Sequence, residues 1–127
     1  MAEVISLVLP FPVSINAAYA NRKGGKGRGR FKTQRLKEWI ADATEAVLKQ
    51  RPGRVTGAYS FRMVAQRPDN RRRDLSNLLK VTEDLLVDLG LVEDDHHAAP
   101  IELDWSDDPP TKDAKVKVWI ISRGRSA

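Results

Sequence analysis

The stretch from Arg71 to Asp95 reads RRRDLSNLLKVTEDLLVDLGLVEDD, and the rest of the chain is organised around it. It begins with three arginines before an aspartate and ends in three consecutive acids. Leucines recur between them at helical spacing, which predicts a helix over residues 75–89 with one buried apolar face. Gly90 follows where a left-handed C-terminal cap is favoured, so the helix should end there.

Two carboxylates, Asp74 and Asp95, flank this predicted helix. The helix over residues 75–89 would be about 22 Å long, and five or six extended residues after Gly90 span at most roughly 20 Å. If the chain doubles back along the helix, Asp95 can return to the neighbourhood of Asp74. Two close carboxylates need a cation, a shared proton or a nearby base, and magnesium suits oxygen ligands. The stretch therefore predicts a metal site that Asp74 and Asp95 share.

The composition is that of an ordinary globular protein, with 41% hydrophobic and 31% charged residues. A chain of 127 residues fits one domain with a single core. The absence of cysteine excludes disulfides and thiolate metal sites and fits a reducing cytoplasm. No apolar run approaches the roughly 20 residues that span a bilayer, and the N-terminus does not match a secretory signal peptide. We therefore expect a cytoplasmic protein without membrane contact.

Charge is distributed unevenly along the chain, whose net charge is +5. Residues 4–37 contain no acid, and eight basic residues crowd into positions 22–37. Ten of the seventeen acids fall between Glu83 and Asp108. A basic run is often only a solvated loop, but its combination with a separate acidic cluster favours nucleic acid as partner and a metal-assisted site.

Glycine and basic residues dominate the segment from about residue 20 to residue 31. This composition cannot bury apolar surface, so we expect a loop that is mobile until a partner binds. Glycine lets the backbone approach phosphates, which lysine and arginine neutralise. The candidate DNA contacts are Lys23, Lys26, Arg28 and Arg30 in this loop, and Arg71, Arg72 and Arg73 before the predicted helix.

The remaining periodicities predict a second helix and four strands. An amphipathic pattern covers residues 33–50, and residues 123–127 form a basic tail that we expect to be frayed. The predicted strands cover residues 3–9, 55–66, 101–105 and 114–122. The order strand, helix, strand, helix, strand, strand predicts a single α+β domain over residues 1–127, with a mixed β-sheet packed against two main helices.

The run from Arg71 to Lys80, followed by Gly90 and the pair Asp94–Asp95, resembles the RusA family of Holliday junction resolvases. The family pattern is RRRDLDNLxK, then a helix, then G-x-x-x-D-D. The segment LPFPVSINAAY over residues 9–19 matches the family more loosely. This chain differs in having Ser76 where the family pattern has its second aspartate.

The resemblance implies a RusA-like fold and Mg²⁺-dependent cleavage of four-way DNA junctions in recombination and repair, with Mn²⁺ as an expected substitute. It also implies a homodimer that acts on branched DNA without a small-molecule cofactor. Lys80 would join Asp74 and Asp95 in catalysis by offsetting negative charge in the transition state. Ser14 and Asn16 match family positions that contact DNA.

Several of these residues have structural alternatives. Asp74 could simply cap the helix, and Lys80 could be an exposed charge that pairs with Asp84 one turn later. Ser76 is a weaker metal candidate that would act through water, and Asp84 and Asp94 are candidate substitutes for the missing carboxylate.

Two other functions stay open for the protein as a whole. One is a junction-binding protein that has lost its cutting power through Ser76, and the other is a basic nucleic-acid-binding module with purely structural acids.

Overall fold

The computed structural model describes residues 3–21, 29–94 and 97–124. The main strands are β1 (Val4–Pro10), β4 (Tyr59–Ala65), β5 (Ala98–Trp105) and β6 (Lys115–Ser122), and the main helices are α2 (Gln34–Gln50) and α3 (Ser76–Asp88). The strands form one sheet in the order β1-β6-β4-β5, in which only the β4–β5 pair is parallel. The prediction of a single α+β domain with a mixed sheet and two main helices is therefore confirmed.

Three short elements were not predicted: α1 (Ile15–Ala18), β2 (Tyr19–Asn21) and β3 (Arg30–Lys32). Strands β2 and β3 pair antiparallel at the two ends of the predicted basic loop, whose residues 22–28 lie outside the described residues. Elements of three or four residues are too short for periodicity to reveal. Residues 125–127 of the predicted tail also lie outside the described ranges.

Two strand boundaries differ from the prediction for an identifiable reason. β4 begins at Tyr59 rather than at Val55, because the Val55 amide donates to the carbonyl of Leu91 at 2.8 Å and so pairs with the segment after α3. β5 begins at Ala98, three residues before the predicted start, because Ala98 pairs with Tyr59. The pairing partner, rather than local composition, determines both boundaries.

The hydrophobic core lies between one face of the sheet and the two main helices. Side chains alternate along each strand, so the helix-side residues are buried, as predicted for β4 and β6. They include Ile5, Leu7, Leu9, Tyr59, Phe61, Met63, Val116, Val118 and Ile120. The opposite face is open and exposes Val4, Val8 and Ile121. No helix in the described ranges is long and apolar enough to cross a membrane.

The ends of the strands define two opposite edges of the sheet, which are distinct from its outer strands. Strands β1, β4 and β5 run the same way, so Pro10, Ala65 and Trp105 lie at one edge, which we call the carboxyl edge. Val4 and Tyr59 lie at the opposite edge, the amino edge. Helix α3, about 20 Å long at 1.5 Å per residue, carries the chain from the end of β4 back to the start of β5.

Thr33 joins α1 to α2 and so holds the segment that follows β1. Its Oγ1 accepts from the Leu36 amide at 3.3 Å as the N-cap of α2, and it lies 2.8 Å from the Ala17 carbonyl and 3.1 Å from the Ala18 carbonyl, to either of which it can donate. The Thr33 amide also donates to the Ala18 carbonyl at 2.9 Å. These bonds fix α1 and thereby the polar residues just before it.

Candidate functional site

A cleft of about 590 Å³ opens at the carboxyl edge, between the segment after β1 and the start of α3. The described residues that line it are Ser14, Asn16, Arg72, Arg73, Asp74, Asn77 and Leu78. Five of them were predicted from the sequence as DNA-binding or metal-binding residues. The fold therefore brings Ser14 and Asn16 to one site with residues 72–74, although the two segments are far apart in the sequence.

Asp74 lies immediately before the first turn of α3. Its backbone carbonyl accepts from the Asn77 amide at 3.1 Å. The N-cap position is occupied by Leu75 in a helical conformation, and no side chain caps the helix. The alternative in which the Asp74 carboxylate is merely the helix cap is therefore wrong. Asp74 is exposed at the cleft, and no hydrogen bond or ion pair of its carboxylate is found among the described residues.

Asp69, which the sequence analysis did not single out, organises the arginines before α3. Its carboxylate accepts from the Arg71 amide at 3.0 Å and from Arg71 Nε at 3.3 Å. It also accepts from Arg73 Nη2 at 2.8 Å and from Arg73 Nε at 3.4 Å. The Arg73 side-chain bond, followed by the Arg71 amide bond, lowers the pKa of Asp69 from 3.8 to about 2. The three arginines are therefore not equivalent.

Arg72 is exposed at the cleft, and no ion pair of Arg72 is found in the described part of the chain. Arg73, by contrast, has a side chain only 30% exposed and is held by Asp69. Arg71 also pairs with Asp69, but its side chain is 79% exposed. Arg72 is thus the arginine of this run whose guanidinium is most available to an external anion.

A stack of aromatic rings and guanidinium groups lies beside the cleft. The guanidinium carbon of Arg73 lies 5.8 Å from the ring centroid of Phe11, which stacks on Trp105 at 6.4 Å with 13° between the ring planes. The guanidinium carbon of Arg67 lies over the Trp105 ring, 4.2 Å from its centroid. Cation–π contacts of this kind are attractive. The stack therefore ties the residues at the ends of β1, β4 and β5 to the start of α3.

Lys80 and Asp84 form an exposed ion pair of 3.1 Å on α3, as the structural alternative predicted. Neither belongs to the described lining of the cleft. Asp84 instead lines a separate cavity of about 160 Å³ between α2 and α3, together with Asp88. Ser76 is the exposed first residue of α3. The metal and catalytic roles of these residues remain predictions. Glu83, also on α3, is nearly buried at 7% exposure and was not singled out.

The acidic end of the Arg71–Asp95 stretch lies at the amino edge. The Glu93 carboxylate accepts from the Gly57 amide at 2.7 Å, and the Asp94 carbonyl accepts from the Tyr59 hydroxyl at 3.3 Å. The expectation that the chain doubles back along the helix toward Asp74 is therefore wrong for residues 91–94. Their path is set by pairing with the segment that leads into β4. Asp95 lies outside the described residues.

The predicted contacts Lys23, Lys26 and Arg28 also lie outside the described residues. Arg30 lies in β3, with its guanidinium carbon 4.8 Å from the Tyr19 ring centroid, and does not belong to the described lining of the cleft.

Within residues 3–21, 29–94 and 97–124, no group of three or more histidine, aspartate or glutamate side chains is arranged to hold a metal ion. Among the described residues that line the cleft, Asp74 supplies the one carboxylate.

Sequence comparison identifies a relative of this chain. Over 89 residues, the chain is 34% identical to the crossover junction endodeoxyribonuclease rusA of Enterobacteria phage HK97. The matched segment covers 69% of this chain and 71% of the phage protein. No protein-family model matches the chain.

The Asp69 interactions predict a pH-dependent contribution to stability. Because folding lowers the Asp69 pKa to about 2, the ionised carboxylate stabilises the fold above about pH 4. This contribution is lost as the pH falls from about 4 toward 2. Urea unfolding should therefore show that wild-type protein is more stable than Asp69→Asn at pH 6 and that the difference shrinks over this acidic range.

The matched control for this measurement is Arg73→Gln, which removes the main cause of the lowered pKa. In that background, the stability change that Asp69→Asn causes should depend less on pH. A difference between wild type and Asp69→Asn that is the same at pH 6 and pH 2.5 would contradict the assignment.

Proposed function

The chain belongs to the RusA family of crossover junction endodeoxyribonucleases, and on that basis we propose that it cuts four-way, Holliday-type DNA junctions by hydrolysing phosphodiester bonds. The observation that carries the proposal is the cleft at the carboxyl edge, where Asp74 lies beside Arg72 and between polar side chains from two parts of the chain. The name of the phage HK97 relative supports the same activity and substrate. The cellular role that follows is DNA recombination and repair.

The DNA backbone would bind along the cleft. Arg72 would neutralise a phosphate, while Ser14, Asn16 and Asn77 offer hydroxyl and amide groups that can bond to phosphate or sugar oxygens. The cleft also lies at the N-terminus of α3, where the helix dipole and the first amides favour an anion. The basic residues between Lys23 and Arg30 would extend this contact along the strands of a branched substrate.

Asp74 would be one ligand of Mg²⁺, which needs near-octahedral oxygen coordination and commonly uses one or two carboxylates with water and substrate phosphate. An exposed carboxylate in a cleft without thiol ligands has the right chemistry for this hard cation. When bound, the metal would lower the pKa of the attacking water and polarise the phosphate. Lys80 would add positive charge near the site, and Mn²⁺ should substitute.

We propose that the second carboxylate, Asp95, comes from another copy of the chain. Residues 93–94 lie at the amino edge, whereas Asp74 lies at the carboxyl edge, about the length of α3 away. A homodimer that places the acidic end of each copy against the cleft of the other would form two equal sites. Two-fold symmetry of this kind suits a four-way junction that needs two matched cuts.

A second candidate function is junction binding without cutting, and Ser76 is the observation that favours it. A serine hydroxyl is a weaker metal ligand than the aspartate of the family pattern. In this candidate the arginines and the basic loop would still bind branched DNA, but Mg²⁺ would not be held at ordinary concentrations.

Metal-dependent nicking of a synthetic four-way junction tests the proposed function. Wild-type protein should cut in Mg²⁺ and stop in chelator. Asp74→Asn should still bind the junction but cut more than about 100-fold more slowly, since metal catalysis supplies several kcal/mol of transition-state stabilisation. Asp42→Asn, a matched change at an exposed residue of α2, should cut normally.

Cutting that persists in chelator or in Asp74→Asn would contradict the proposal. Tight junction binding by a wild-type protein that never cuts would favour the second candidate. Equal affinity for branched and unbranched duplexes would contradict both.

The change Ser76→Asp tests whether the missing carboxylate limits metal binding. Because metal affinity rises with ligand charge, the Mg²⁺ concentration for half-maximal cutting should fall by roughly tenfold or more. Ser76→Asn is the size-matched neutral control and should bring no such gain. A requirement for Mg²⁺ that is equal in wild type and Ser76→Asp would show that position 76 does not take part in the metal site.

A further inference from the structure

The first turn of α3 has no cap of its own. Leu75 occupies the N-cap position and its side chain cannot accept a hydrogen bond, so the early amides of the helix lack the usual side-chain acceptor. Asp74 precedes this turn directly. From the helix side, the Asp74 backbone is held by the bond from the Asn77 amide to the Asp74 carbonyl at 3.1 Å, without a side-chain cap. Contacts of the loop before Asp74 therefore contribute to its position.

Hydrogen bonds to Asp69 close that loop. Both of its carboxylate oxygens are engaged, by the Arg71 amide and by Nε and Nη2 of Arg73. The amide bond from Arg71 forms an Asx turn, which defines the chain direction two residues after Asp69. The two bonds from Arg73 span four residues and reach the position next to Asp74.

Arg73 is also held on its other side by the sheet. Its guanidinium packs against Phe11, and Phe11 stacks on Trp105, so the contact is anchored to the ends of β1 and β5. Because Asp69 and Phe11 hold the guanidinium and the side chain is only 30% exposed, Arg73 is less accessible to DNA than Arg72. Arg73 is suited to holding the backbone in place, whereas the exposed Arg72 is suited to binding phosphate.

We propose that Asp69 is a positioning residue for DNA cleavage, which acts through Arg73 to hold Asp74 in the cleft, while Arg72 is the phosphate-binding arginine of the run. This inference rests on the proposed endonuclease function. It assigns different roles to arginines that the sequence analysis named together as candidate DNA contacts. An acid beside a DNA-binding cleft would by itself weaken binding by repulsion. The loop that Asp69 closes gives this acid a structural role instead.

The test is a double-mutant cycle over Asp69→Asn and Arg73→Gln. Single-turnover cleavage of a four-way junction, at saturating protein and Mg²⁺, reports the chemical step. Junction affinity in chelator reports binding separately. Each single variant should cut about 10- to 100-fold more slowly, because small displacements of a catalytic group have effects of this size. The double variant should be no slower than the slower single variant, since both changes break one linkage.

Binding should respond in the opposite way. Asp69→Asn frees two guanidinium groups and removes a negative charge, so its junction affinity should be equal to or tighter than that of wild type. The slope of log affinity against log salt should fall by about one for Arg72→Gln and by less for Arg73→Gln. A purely structural defect would weaken binding and cutting together.

The chain offers a matched control in the exposed Arg62–Asp104 pair, 3.6 Å apart on the open face of the sheet. Arg62→Gln and Asp104→Asn should leave the cleavage rate within about twofold of wild type. Urea unfolding of every variant establishes that the measured protein is folded, and Asp69→Glu, which keeps the charge, replaces Asp69→Asn if the latter is unfolded.

Asp69 would be a simple repelling charge, and the inference wrong, if Asp69→Asn bound DNA more tightly and cut at the wild-type rate. Additive losses in the double variant would also overturn it, since they would separate Asp69 from Arg73. A wild-type protein that does not cut junctions at all would instead remove the proposed function, and this inference with it.

Discussion

The length and direction of α3 determine how far Asp74 lies from the acidic residues that follow the helix. The helix returns the chain from the carboxyl edge to the amino edge of the sheet, so Asp74 lies at one end and Glu93 and Asp94 at the other. Mg²⁺ is commonly held by one or two carboxylates together with water and phosphate oxygens. In the proposed function, a site that combines both ends of the stretch is built between two copies, and the dimer is then required for metal binding.

The three arginines from Arg71 to Arg73 differ in how they contribute to the charge of the cleft. Arg71 and Arg73 share the single negative charge of Asp69, whereas Arg72 is exposed and lines the cleft with Asp74. In the proposed function, Arg72 would bind phosphate and Asp74 would bind the metal in the same cleft. The net charge of +5 and the basic segment before α2 would add longer-range attraction for DNA.

The sequence predicted the features that depend on periodicity and missed those that depend on tertiary pairing. The leucine pattern of α3 and the alternation in β4 and β6 identified the fold class and the buried faces. The arginine run was visible, but its members could not be distinguished, because their pairing with Asp69 depends on the turn of the loop. The path of residues 91–94 was mispredicted because Leu91 and Glu93 bind the segment before β4. Local composition carries no signal for such a partner.

The shared site is tested most directly by mixing two inactive variants, Asp74→Asn and Asp95→Asn, and allowing their subunits to exchange. If each site takes Asp74 from one copy and Asp95 from the other, every mixed dimer has one intact site. Random pairing then restores about a quarter of the wild-type junction-nicking rate. Mixtures that remain as inactive as the separate variants would contradict the account, because each site would then draw both acids from a single chain.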